Sequence, residues 1–220
     1  EEVEELDSDD AADIIGELSQ ERQEAVLSKI EDEEHVKEIE ELLAYDEDSA
    51  GGLMAKELVK VNENWTVLKC VREMRAQAEE VTRVHSIYVV DDNDKLKGRL
   101  SLKDLLITST KTAISEVYIP KVDFVNVHDN LDEVSNKMRK YDLEAIPVID
   151  NNGVLLGRIT IDDIVDVIKE EADKDYQLAA GLTQDVEADD SILQLTKARL
   201  PWLFLGLLGG VGAFLIMVMF

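Results

Sequence analysis

HSIYVVDDNDKLKGRLSLKDLLI (residues 85–107) and EAIPVIDNNGVLLGRITIDDIVD (residues 144–166) align without a gap, at an offset of 59. Ile87 falls on Ile146, Val89 on Val148, Asp91 on Asp150, Gly98–Arg99 on Gly157–Arg158, and Asp104 on Asp163. Upstream, Met74–Arg75 aligns with Met138–Arg139, and Val61–Asn62 with Val125–Asn126, at an offset of 64. The change of offset predicts a longer helix-to-strand connection in the first copy, around Gln77 to Arg83. Each copy reads as helix, apolar strand, polar turn, second strand and helix. SIYVV and AIPVI are short, apolar and β-prone, and GRLSL and GRITI follow turns rich in Asp and Asn. Those turns, DDND and DNNG, have the composition of calcium loops but lack the twelve-residue ligand pattern, so hairpin turns are expected.

On the N-terminal side, apolar residues Ile14, Ile15, Leu18, Val26, Leu27 and Ile30 recur at helical spacing. Residues 1–45 therefore read as part of an α-helical domain, with Ser8 or Asp9 capping one helix and Ser19 opening the next. On the C-terminal side, residues 200–220, LPWLFLGLLGGVGAFLIMVMF, carry no charge. At 1.5 Å per residue the run reaches across a hydrocarbon layer of about 30 Å, so it reads as a transmembrane helix rather than a buried core helix. Pro201 is expected in the first turn and Trp202 at the interface, while Gly206 and Gly210 form a small-xxx-small pair. Lys197 and Arg199 just before the span place residues 1–199 on the cytoplasmic side of a cell (inner) membrane.

Asp and Glu outnumber Lys and Arg by 49 to 23, for a net charge of −26. Such a surface repels phosphate backbones and excludes nucleic acid as a partner. A carboxylate-rich surface serves either solubility or the binding of hard divalent cations, which take oxygen ligands. Cys70 is the single cysteine, and His35, His85 and His128 are scattered, with no pair at zinc-ligand spacing. No nucleophile–base pairing and no phosphate loop stands out, so the chain does not read as an enzyme.

The repeat resembles a tandem pair of CBS domains. YDEDSAGGLM (residues 45–54), KLKGRLSLKDLL and ITIDDIVDVI resemble the linker and repeats of the MgtE family of magnesium channels. The order of helical acidic domain, CBS pair, acidic helix and membrane span is also that family's, and the resemblance covers essentially the whole chain. It implies an α+β fold: part of a helical N domain (1–45), a linker (46–56), CBS domain 1 (57–118) and CBS domain 2 (119–169). A connecting, plug-like helix (161–179), a juxtamembrane linker (180–199) and the first transmembrane helix (200–220) follow. It further implies homodimerisation through the CBS domains and regulatory Mg²⁺ sites between the N domain, the CBS pair and the connecting helix. Matched to the family's motifs, the metal ligands are Asp9, Asp13, Asp142, Asp163, Asp166, Glu171 and Asp175. Lys174 stands where the family often has another acid, which implies one ion fewer near the membrane. Asp104 stands where CBS modules often contact a nucleotide ribose, although aromatic residues to stack on adenine are scarce nearby.

The acidic helix carries its own physical argument. Asp163, Asp166 and Glu170 fall at i, i+3 and i+7, on one face. Two carboxylates about 6 Å apart, at an effective dielectric near 20, repel by about 3 kcal/mol. Several such pairs oppose a compact arrangement unless cations bridge them; the plainer alternative is a solvated acidic face. The expected mechanism is a feedback gate. Bound Mg²⁺ holds the cytoplasmic elements together and the pore shut, and loss of Mg²⁺ lets them separate. The competing expectation is a module of a different membrane transporter that senses adenosine nucleotides such as ATP.

Overall fold

The computed structural model describes residues 6–16, 18–78, 84, 86–179 and 192–219, with side chains described only in part within the last two helices. The chain divides into two compact units, Glu1–Ile164 and Val165–Phe220.

The first unit opens with α1 (Ser8–Gly16), α2 (Gln20–Leu27) and α3 (Glu33–Leu42). Helix α1 buries Ala11, Ala12 and Ile15 on one stripe, and α3 buries Ile39 and Leu42. Asp32 caps α3, its carboxylate accepting from the backbone N–H groups of Glu34 and His35. Ser19 occupies the N-cap of α2 as the sequence suggests, but its hydroxyl makes no capping bond.

The first copy of the repeat follows as β1 (Val59–Asn62), α4 (Val67–Gln77), β2 (Ile87–Val90), β3 (Leu96–Leu100) and α5 (Leu102–Ile107). The second runs β4 (Val125–Asn126), α6 (Leu131–Tyr141), β5 (Ala145–Ile149), β6 (Leu155–Thr160) and α7 (Ile161–Ala179). In each sheet the first strand pairs parallel with the second, through the helix as crossover, and the second pairs antiparallel with the third. In the sequence the leading strands β1 and β4 show only as aligned dipeptides, since two to four residues are too few to show alternation. Helix α4 ends at Gln77 and β2 starts at Ile87, against Tyr141 and Ala145 in the second copy, a spacing that agrees with the longer connection expected; residues 79–83 and 85 within it lie outside the described residues.

DDND and DNNG are hairpin turns, as expected. Asp91 accepts from the N–H groups of Asn93 (2.9 Å) and Lys95 (3.1 Å), and Asp150 from those of Asn152 and Val154, both 2.8 Å. The two turns bond to each other: the Leu96 N–H donates to the Gly153 carbonyl and the Leu155 N–H to that of Asp94, both at 2.9 Å. Beneath them Tyr88, Val90 and Leu155 form a small core that ties the two copies together.

Paired Gly–Arg dipeptides have a common structural cause. Ala55 exchanges two backbone bonds of 2.9 Å with Arg158, and Ile119 does the same with Arg99 at 2.9 and 3.1 Å. A Cβ on Gly157 would lie 2.6 Å from the Ala55 carbonyl oxygen, and one on Gly98 would overlap that of Ile119. Only glycine lets those segments approach. The segment entering the first copy thus completes the edge of the second, and the segment between the copies completes the edge of the first.

The AGGLM stretch, expected as a linker, is core. Ala50 and Met54 are fully buried, and Ala50 and Gly51 donate to the carbonyls of Asp129 (2.8 Å) and Val127 (2.9 Å). One continuous apolar cluster runs from Ala11, Ile15 and Ile39 through Met54 to Met138, Ile146 and Ile164. The N-terminal helices are therefore seated on the second repeat by way of this stretch.

In the second unit, α8 spans Ile192–Met219 and includes 19 residues, Leu200–Val218, of mean hydropathy 2.1, long and apolar enough to cross a membrane. One expectation needs correction. The helix begins at Ile192, within the stretch expected to be a juxtamembrane linker, so Pro201 sits in the helix interior rather than in the first turn. There the missing N–H leaves the Lys197 carbonyl without its helical donor. Residues 180–191 of that linker lie outside the described residues.

Candidate metal centre

The start of α1 meets the segment leading into β1. The Ser8 N–H and hydroxyl donate to the two Glu57 carboxylate oxygens at 2.9 and 3.0 Å, and the Lys56 N–H donates to the Ser8 hydroxyl at 3.0 Å. Arg158, 6% exposed, donates from Nε to the Glu57 carbonyl at 2.7 Å and approaches Asp7 at 3.5 Å. These bonds bring the carboxylates of Asp7, Asp9 and Glu57 together, with one oxygen of each within 4.8 Å of the others.

Asp9 carries the strongest electrostatic signature. Burial first, and then the Asp163 charge, push its pKa from 3.8 up to about 7. One of its carboxylate oxygens is buried and accepts no hydrogen bond among the described residues. Asp163 is itself fixed at the head of α7, accepting from the Thr160 N–H at 2.7 Å. An all-oxygen set with an orphaned buried oxygen and an excess of negative charge fits a hard dication.

Of the carboxylates singled out in the sequence, the fold brings Asp9 and Asp163 into interaction. Asp13 is exposed on α1, and Asp142 is exposed at the end of α6, where it takes a left-handed φ of 53° and closes the helix. Asp166, in the second unit, pairs with Lys169 at 2.8 Å. Glu171 and Asp175 lie on α7, and their side chains fall outside the described residues. Asp104 lies in the first turn of α5 and lines a cleft of about 410 Å³ with Ser86, Arg99, Ser101 and Lys103.

Glu57 and Asp7 were not singled out in the sequence. They are 50 positions apart and follow no motif spacing; only the seating of α1 on the segment before β1 joins them.

Family comparisons agree with this architecture. Residues 1–48 match the MgtE intracellular N domain, and residues 50–109 and 114–170 each match the CBS domain. The magnesium transporter MgtE of Thermus thermophilus is 39% identical over 176 residues, which cover 79% of this chain and 39% of that protein. The magnesium transporter MgtE of Bacillus subtilis is 32% identical over 209 residues, covering 93% of this chain and 46% of that protein. The chain thus spans less than half the length of these relatives. The crystal structure of the cytosolic domain of the Mg²⁺ channel MgtE in complex with ATP superposes with a TM-score of 0.70 at 38% identity, over 75% of this chain and 67% of that one. With the helical domain and both repeats matched in order, the chain belongs to the MgtE family of magnesium transporters.

Proposed function

We propose that this chain is the cytoplasmic Mg²⁺-sensing region of a magnesium channel, joined to its first membrane helix and acting as a homodimer through its CBS pair. The observation that carries the reading is Asp9, whose buried carboxylate faces the Asp163 charge across the seam between the N-terminal helices and the second repeat. Asp7, Asp9, Glu57 and Asp163 supply oxygens for a dication at that seam, and its binding offsets their repulsion. Asp13 and Asp142 in the first unit, and Asp166, Glu171 and Asp175 in the second, supply further carboxylates. Cation binding favours the seated N-terminal helices, and loss of the cation favours their release, which is the differential a gate requires.

Limited proteolysis of the chain with and without millimolar Mg²⁺ tests this. The segment between α3 and β1 should be protected by Mg²⁺ in the wild type, and protection should weaken in Asp9→Asn plus Asp163→Asn. Equal cleavage with and without Mg²⁺ contradicts the sensor.

The cleft beside Asp104 favours a second, compatible role. Its size, the nearby Arg99 and Lys103, and the ATP bound by the 38% identical cytosolic domain support a nucleotide site with Asp104 on the ribose. Protection of the first repeat by ATP, lost in Asp104→Ala, tests that role separately from Mg²⁺.

A further inference from the structure

We propose that His35, Glu38 and Glu57 form a second metal site, selective for a borderline dication of the Zn²⁺ class rather than for Mg²⁺. His35 and Glu38 stand one turn apart on α3, and Glu57 comes from the segment before β1. One ligand atom from each lies within 4.8 Å of the other two. A tetrahedral ion with ligands about 2.0–2.1 Å away spaces them by roughly 3.4 Å, so small side-chain rotations complete the set.

The imidazole is what separates this triad from the oxygen cluster beside it. The Nε2 atom of His35 is buried and has no hydrogen-bond partner among the described residues, and a buried ring nitrogen rarely stays without a partner. Its backbone is fixed by the Asp32 cap, so the ring starts from an anchored helical turn. Glu57 accepts one bond from Ser8 on each oxygen and keeps a lone pair on each for a metal. Burial first, and then the Glu57 charge, raise the Glu38 pKa, against the opposing pull of His35 and of Lys56, whose ammonium is paired with Glu41 at 2.9 Å.

Imidazole suits Zn²⁺ and its neighbours, whereas Mg²⁺ prefers oxygen and water. Two carboxylates and a neutral imidazole also neutralise a dication. Because Glu57 belongs to both groups, an ion here fastens α3 to the segment that seats α1.

The test is Zn²⁺ titration of the full chain in detergent micelles, against a competing chromophoric chelator and in excess Mg²⁺. Wild-type chain should bind one Zn²⁺ that millimolar Mg²⁺ does not displace. His35→Gln should weaken it by at least the roughly 10- to 100-fold typical of disturbing a metal site, with Mg²⁺ protection from proteolysis unchanged. Glu38→Gln is the second variant, and Co²⁺ absorption in the visible region should lose its imidazole-ligated signature in His35→Gln and keep it in altered form in Glu38→Gln. Equal Zn²⁺ affinity in wild type and both variants, or full displacement by Mg²⁺, overturns the proposal. Loss of Mg²⁺ protection in the wild type would overturn the sensor reading instead and leave this one standing.

Discussion

Replacing Asp9 with Asn should stabilise the Mg²⁺-free chain above neutral pH. The carboxyl pKa rises from 3.8 to about 7 on folding. At 1.36 kcal/mol per unit, keeping Asp9 ionised at pH 8 costs the folded state about 4 kcal/mol. The folded pKa lies above the unfolded one, so the stabilising proton is fully present below about pH 4 and is lost as pH rises through about 7. Asparagine is neutral at every pH and nearly isosteric. Allowing for relaxation of α1, the variant should gain about 2 kcal/mol at pH 8 in a chelator, or roughly 4–8 °C in melting temperature for a chain of this size. At pH 5 the gain should fall below half of that, because wild-type Asp9 is then protonated in the folded state. Saturating Mg²⁺ should raise the melting temperature of the wild type at pH 8 and that of Asp9→Asn less. Circular dichroism melts at the two pH values, with and without Mg²⁺, measure all of this. An unchanged melting temperature at pH 8, or an equal gain at both pH values, would refute the assignment of a strained carboxylate at this seam.

Three other outcomes are expected. Because Mg²⁺ must displace the Asp9 proton below pH 7, the Mg²⁺ midpoint for protease protection should rise by up to about tenfold per pH unit between pH 7 and 6, and a flat profile would argue against Asp9 as a ligand. Arg158→Met should lose the bond to the Glu57 carbonyl and the approach to Asp7, costing about 2 kcal/mol in urea titration and exposing α1 to earlier cleavage. Gly157→Ala should cost about 1–3 kcal/mol, since its Cβ would press on the Ala55 carbonyl and on Met54; a neutral effect would mean that this segment does not pack against β6.

Sequence periodicity carried the architecture where repetition was available. Two in-register copies exposed the β2–β3 and β5–β6 hairpins, and the charge-free run exposed the apolar part of α8. What stayed hidden was whatever depended on segments meeting across the fold. AGGLM reads in the sequence as part of a linker, its glycines and small residues carrying no period, yet it is buried because those residues permit close packing against Val127 and Tyr45. Pro201 was misplaced because hydropathy marks where a helix turns apolar, not where it starts, and α8 begins in the polar stretch at Ile192. Asp9 and Asp163 were legible as acids on resembling motifs. Their interaction, and the part of Glu57 and Asp7, were not, since no local spacing encodes the docking of α1 beside β6.

The crossed edge-pairing of Ala55 with Arg158 and of Ile119 with Arg99 means that neither copy of the repeat is a separable module. Cutting the gene at the repeat boundary would deprive each half of the strand segment that caps its sheet, leaving bare backbone donors and acceptors. A severed half would have to borrow the missing segment from another molecule, whereas in the intact chain each copy vouches for the other, and the two should melt as one cooperative body.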